Sequence, residues 1–157
     1  MTETVLELLV KVNLPANCEV NVVVGSEYPH VKKLWNRFGS FPRKLTVDAG
    51  VDDMACKIAE ADIGIGSFGV STWERCCLGL PSINIVVGEH NIRFAKALQK
   101  EKIGKVIFVD SMKSELIPAI QFAIENSEFR HQLSIRSSNL VDGKGVPRTV
   151  DWIASNL

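Results

Sequence analysis

Short runs of β-branched apolar residues alternate along this chain with longer segments of helical period, and this alternation limits the fold more than any other feature. Several runs are apolar at consecutive positions, which is typical of strands buried on both faces of a parallel sheet. The five runs are at 19–25, 44–48, 62–66, 81–87 and 105–110.

Helical periodicity fills the segments between the runs and extends beyond them at both ends. A repeated strand-then-helix pattern predicts βαβ units and a three-layer α/β fold, in which helices cover both faces of a mainly parallel sheet. Ligands of such sheets bind at the carboxyl ends of the strands, so the residues that follow each run are the candidate site residues. The predicted helices are 2–12, 28–38, 52–60, 71–78, 91–100, 111–126, 128–140 and 146–155.

Composition excludes several classes of function. With 157 residues, 46% of them hydrophobic, the chain has the size of one domain with its own core. Lysine and arginine together number 18, as do aspartate and glutamate, so no basic field is available for nucleic acid or an anionic membrane. No apolar stretch approaches the ~20 residues of a membrane span and no secretory signal is recognisable, so we expect a cytoplasmic protein.

The four cysteines do not form a metal motif. Cys18, Cys56, Cys76 and Cys77 contain no C-x-x-C pair, and the side chains of adjacent helical residues point in different directions. We therefore expect reduced thiols and no metal site.

The stretch at 61–82, ADIGIGSFGVSTWERCCLGLPS, is the most informative part of the chain. It predicts a strand that ends at Gly66, a loop of small residues and a helix that begins near Ser71. Amides at a helix start, here those of Val70, Ser71 and Thr72, can donate to an anion and are reinforced by the helix dipole. Gly66 and Gly69 allow a phosphate to approach the backbone closely.

Glu74 has two interpretations. In the first, Ser71 is the N-cap of the helix and Glu74 is its third residue, and the two side chains form a capping box. In the second, the Glu74 carboxylate accepts hydrogen bonds from both ribose hydroxyls of a nucleotide whose phosphate lies at the helix start. The S/T-x-x-E spacing is common, and taken alone it favours the cap.

The segment 61–86, ADIGIGSFGVSTWERCCLGLPSINIV, resembles the signature of the UDP-sugar hydrolase of pseudaminic-acid biosynthesis and of related spore-coat polysaccharide proteins. It is more distantly similar to the N-acetylglucosaminyltransferase of peptidoglycan synthesis. These families share the GT-B architecture, in which two Rossmann-like lobes meet and the C-terminal lobe holds most of the nucleotide-sugar. The WERCCLGLP run is specific to the hydrolase branch, and the resemblance extends over most of the chain.

The resemblance implies a set of site residues. It makes ribose binding the primary role of Glu74, and it implies that backbone groups of Val51 bind uracil. It also places the residues after the fourth predicted strand against the donor sugar. The implied nucleotide-binding residues are Val51, Gly69, Val70, Ser71, Thr72 and Glu74, and the implied sugar-binding residues are Glu89, His90 and Asn91.

The resemblance further implies that the chain is the UDP-sugar-binding lobe of a hydrolase that acts on a UDP-linked diacetamido-trideoxyhexose in nonulosonic-acid or surface-polysaccharide biosynthesis. The catalytic histidine of those hydrolases lies in the N-terminal lobe. We therefore assign no catalytic residue here, expect no activity from the chain alone, and leave open whether it is an enzyme. No cofactor and no metal are implied. Two alternatives remain, a lobe of a UDP-N-acetylglucosamine glycosyltransferase and a non-catalytic binding module that assembles with a partner chain.

Residues 1–157 are expected to form a single nucleotide-sugar-binding domain that lacks the N-terminal lobe and the first strand of the C-terminal lobe. In the strand order 3-2-1-4-5-6 that strand is central. Without it, the sheet either splits into two halves with unpaired edges or closes directly across the gap. We expect compensation through a closed sheet or through a dimer that pairs the exposed edges. The missing N-terminal lobe further implies either self-association or a partner chain that supplies that lobe.

Overall fold

Five parallel strands form the centre of the molecule, as the alternation of the sequence predicts. A computed structural model of the chain describes residues 1–156. All of its strand pairings are parallel, and helices connect successive strands, so the α/β fold class is confirmed. The strands are β1 (Glu19–Val24), β2 (Lys44–Ala49), β3 (Gly64–Ser67), β4 (Ser82–Val86) and β5 (Lys105–Phe108).

Each predicted helix is present, with shifts at its ends. The second helix begins at Val31 and not at Tyr28, because the N–H of Tyr28 donates to the carbonyl of Gly25 and closes a turn there. Single turns of 3-10 helix occupy Glu89–Asn91 and Val109–Ser111. The α-helices are α1 (Thr2–Leu9), α2 (Val31–Phe38), α3 (Met54–Ala59), α4 (Val70–Cys77), α5 (Ile92–Lys100), α6 (Met112–Glu125), α7 (Ser127–Leu140) and α8 (Gly145–Ser155).

The strands are divided between two sheets. β1 pairs with β2 in one sheet, and the other has the order β3–β4–β5. Of the two arrangements expected, the split sheet is therefore observed, and closure across the gap is wrong for the residues described. β1 and β3 each pair with a single strand and are partly exposed, whereas every residue of β4 is buried.

One apolar cluster spans both sheets. Leucines of α1 recur at helical spacing and pack into it, and α1 also contacts α6. Removal of these side chains from water is the main force that holds the two sheets together, since no strand pairing joins them. Its most completely buried members are Leu6, Leu34, Ile83, Ile85, Ile107 and Leu116.

A second cluster holds α4 and α5 against the three-stranded sheet and so fixes the loop between β3 and α4. Phe68 of that loop is buried in it together with Cys76 of α4 and Val86 of β4.

Among residues 1–156, no helix is both long and apolar enough to cross a membrane. All four cysteines are free.

Candidate functional site

The loop that joins β3 to α4 is held from two sides. The N–H of Phe68 donates to the Ile85 carbonyl at 2.8 Å, which continues the pairing of β3 with β4. The side-chain amide of Asn91 donates to the Phe68 carbonyl at 3.2 Å, and the Phe68 ring packs edge-on against Trp73. The start of α4 is therefore fixed at the carboxyl end of β3, where ligands of such folds bind.

The N-cap of α4 is Gly69, in extended conformation, and the helix begins at Val70. The hydroxyl of Thr72, the third helical residue, accepts the N–H of Gly69 at 3.1 Å. The capping box of Ser71 and Glu74 considered from the sequence is therefore wrong. The physical reason is that the Thr72 side chain, only 1% exposed, reaches back to the loop from a helix that starts one residue earlier than predicted.

Two amides at the start of α4 remain available to a ligand. Thr72 N–H donates to the Gly69 carbonyl at 3.0 Å, so this amide is not free, contrary to expectation. The N–H groups of Val70 and Ser71 donate to no acceptor within residues 1–156, and Val70 is 76% exposed. Unsatisfied amides and the positive end of a helix dipole are the features that favour an anion at a helix start.

Glu74 lies on the exposed side of α4, one turn into the helix. Its carboxylate takes part in no side-chain hydrogen bond and no ion pair among the residues that the structure describes. The carboxylate is therefore accessible at the same end of the sheet as the free amides.

Arg75 is a residue that the sequence reasoning missed. It is 7% exposed, and its guanidinium lies beneath the start of α4, where Nη1 donates to Ser71 Oγ at 3.1 Å. Two glycines of β3 make room for it: a Cβ at Gly64 would lie 2.9 Å from Arg75 Cδ, and one at Gly66 would lie 3.0 Å from Nη1. The space above Gly66, which was expected to admit a phosphate, is thus filled by Arg75. Glycine at alternate positions of a strand was the signal for a large side chain on that face.

The predicted sugar-binding residues form the 3-10 turn Glu89–Asn91 after β4. Glu89 and His90 are exposed. Asn91 uses its amide to anchor the Phe68 carbonyl and thereby ties this turn to the loop before α4. Residues 89–91 and the start of α4 are therefore held side by side.

Val51 follows β2, at the carboxyl end of the two-stranded sheet. It follows Gly50, whose φ of 64° is favourable for glycine and whose N–H donates to the Val24 carbonyl at 3.0 Å. No hydrogen bond among residues 1–156 links Val51 to α4. The structure thus brings together the predicted residues of α4 and of the 3-10 turn, and leaves Val51 on the other sheet.

Two surface depressions lie at the amino ends of the strands, at the other edge of the sheets from the start of α4. One, of about 400 Å³, borders the starts of β1 and β2, and the other, of about 330 Å³, borders the starts of β3 and β4. Both are open, and the second is bordered by Ser127, the first residue of α7. Within residues 1–156 no group of three or more histidine, cysteine, aspartate or glutamate side chains is arranged to hold a metal ion.

In sequence, the chain is 28% identical over 132 residues to the spore coat polysaccharide biosynthesis protein SpsG of Bacillus subtilis (strain 168). The match covers 80% of this chain and 38% of that protein. No protein-family model matches the chain.

In structure, the chain is similar to MurG of Acinetobacter baumannii, with a TM-score of 0.77, 18% identity and coverage of 98% of this chain and 45% of that one. It is also similar to WaaG, a glycosyltransferase involved in lipopolysaccharide biosynthesis, with a TM-score of 0.72, 19% identity and coverage of 92% and 40%. The chain spans less than half the length of each protein. It has the Rossmann-like fold of one lobe of a GT-B protein.

Proposed function

We propose that the chain is a UDP-sugar-binding lobe. The observation that carries this proposal is the start of α4, where the free amides of Val70 and Ser71 lie at the carboxyl end of β3 and the exposed carboxylate of Glu74 follows one turn later. A nucleoside diphosphate has both groups that this arrangement complements, because its phosphates accept from amides and its ribose hydroxyls donate to a carboxylate.

In this proposal, the diphosphate accepts hydrogen bonds from the amides of Val70 and Ser71, with Gly69 leaving the approach open. Glu74 accepts both ribose hydroxyls. The donor sugar lies against the 3-10 turn, with Glu89 and His90 exposed beside it. The backbone at Val51 receives the uracil across the gap between the two sheets.

The reaction we propose for the complete site is hydrolysis of a UDP-linked diacetamido-trideoxyhexose. Water adds to the anomeric carbon of the sugar, the bond from that carbon to the diphosphate oxygen breaks, and UDP leaves. The general base is a histidine of a second lobe, from a partner chain or another segment, as in the hydrolases that the segment 61–86 resembles. The WERCCLGLP run at 73–81 supports the hydrolase, and the fold shared with WaaG, a glycosyltransferase, supports a transferase lobe as the second candidate.

Isothermal titration calorimetry with UDP, ADP and uridine tests the binding proposal. We expect UDP to bind, uridine to bind much more weakly because it lacks the diphosphate, and ADP to bind more weakly than UDP. Equal affinity for UDP and uridine, or no heat with UDP, would contradict it.

A separate assay of UDP release from the UDP-sugar should show no turnover by this chain alone. Steady release proportional to the concentration of the chain would contradict the need for a second lobe.

A further inference from the structure

Arg75 is a buried cation that forms no ion pair among the described residues, and the Glu74 charge acts on it only without direct contact. Its guanidinium donates to Asn84 Oδ1 at 2.9 Å, to Ser71 Oγ at 3.1 Å and to Thr72 Oγ1 at 3.3 Å, with a longer contact of 3.5 Å to the Ser67 carbonyl. All of these acceptors are uncharged. No carboxylate forms an ion pair with Arg75 in the described part of the chain, and its buried Nε has no hydrogen-bond partner there.

A buried guanidinium with only neutral acceptors is unfavourable unless a bound ligand supplies a negative charge. Removing an ion from water costs free energy that neutral acceptors only partly restore, and burial accordingly lowers the pKa of Arg75 from its usual range. The fold nevertheless accommodates the side chain: a Cβ at Gly66 would make a tight contact of 3.0 Å with Nη1, and one at Gly64 would lie 2.9 Å from both Arg75 Cδ and Leu80 Cδ2.

The guanidinium also orients the hydroxyl nearest the helix start. Ser71 Oγ accepts from Arg75 Nη1, so the hydroxyl proton of Ser71 points away from Arg75 and is available to an outside acceptor. The free amides of Val70 and Ser71 are at the same place. The guanidinium, the Ser71 hydroxyl that it contacts and the two free amides therefore all lie at the first turn of α4.

We propose that Arg75 is the buried counter-charge of a diphosphate-binding site and a positioning residue for Ser71. It selects doubly or more highly charged phosphate groups over neutral ligands, since a bound diphosphate supplies the negative charge that the protein omits. The identity of the nucleoside rests on the function proposed above, whereas the selection of a diphosphate does not.

The sharpest test gives Arg75 an internal counter-ion. Asn84→Asp keeps the shape of the side chain and its 2.9 Å acceptor position and places a carboxylate against the guanidinium. We expect affinity for inorganic pyrophosphate and for UDP, measured by calorimetry, to fall by about tenfold or more, and the melting temperature not to decrease. Asn36→Asp is the matched control: it makes the same chemical change at an exposed position of α2 and should leave both affinities unchanged.

Two further variants keep the test decisive if Asn84→Asp does not fold. Arg75→Met removes the charge and should weaken pyrophosphate binding by a similar factor, and Arg75→Lys should restore part of it, because a purely packing role would not be rescued by charge. The proposal is overturned if the parent does not bind pyrophosphate, if a folded Asn84→Asp variant binds it like the parent, or if the Lys and Met variants bind it equally. Binding of pyrophosphate as tight as that of UDP would instead contradict the nucleotide proposal and leave the role of Arg75 intact.

Discussion

Arg75 on α4 donates a 2.9 Å hydrogen bond to Asn84, a residue only 1% exposed in the middle strand of the three-stranded sheet. The contact fixes the rotation of α4 about its axis, because the guanidinium that reaches β4 also binds the side chains of Ser71 and Thr72 in the first turn. With the helix held this way, Glu74 and the free amides lie on the accessible side. The geometry of the site thus depends on the buried hydrogen bonds that Arg75 makes to Ser71, Thr72 and Asn84.

Thr72→Val should destabilise the fold. The Thr72 hydroxyl accepts from the Gly69 N–H and from Arg75 Nη2, and valine has the same shape but accepts from neither. We expect the free energy of unfolding, measured in urea, to fall by roughly 1–3 kcal/mol, the cost of leaving buried donors unpaired. Thr46→Val, which removes a hydroxyl from an exposed hydrogen bond with Asn21, should cost much less. Equal losses for the two variants would show that the Thr72 network contributes little.

Gly66→Ala and Gly69→Ala should differ in stability. An alanine Cβ at position 66 would lie 3.0 Å from Arg75 Nη1 and 3.4 Å from Cζ, whereas at position 69 no atom lies within 4 Å. Gly69 has a φ of 177°, which any residue adopts. We expect thermal unfolding to show a loss on the order of 1–3 kcal/mol for the first variant, because its core is overpacked, and no change for the second. A stable Gly66→Ala variant would mean that the guanidinium is not fixed against β3.

Gly69→Ala should nevertheless weaken nucleotide binding. Its added methyl group lies beside the amides of Val70 and Ser71, in the space through which a phosphate must approach. UDP affinity measured by calorimetry should therefore fall while the fold is unchanged. Binding like that of the parent would indicate that the phosphate does not approach over Gly69.

Amide hydrogen exchange should distinguish the middle strand from the strands at the gap. β4 pairs on both sides and is buried throughout, whereas β1 and β3 pair on one side only. We expect faster exchange in β1 and β3 than in β4 at low protein concentration. If the open edges mediate self-association, as proposed from the sequence, protection of β1 and β3 should rise with concentration. Strong protection of both at every concentration would contradict the split sheet.

The helices and strands of this fold were more predictable from the sequence than the side-chain contacts between them. The strand runs and helices were predictable because apolar periodicity is local, and the loop before α4 was predictable because small residues precede a helix there. The true cap was not predictable, since it depends on burial of Thr72. Arg75 was missed because a charged residue on a helix is usually exposed, and its burial depends on Asn84, which is on a different strand.

Titration of UDP into the parent, Glu74→Gln and Glu74→Ala proteins tests the central claim, that Glu74 binds a nucleotide and does not cap α4. Because its carboxylate has no hydrogen-bond partner in the described structure, neither substitution should change the melting temperature appreciably. Two charge-assisted bonds to ribose contribute on the order of 1.5–3 kcal/mol each. Since about 1.4 kcal/mol corresponds to a tenfold change, we predict that UDP affinity falls by about a hundredfold or more for alanine and appreciably for glutamine. Affinities equal to that of the parent in both variants would contradict the account.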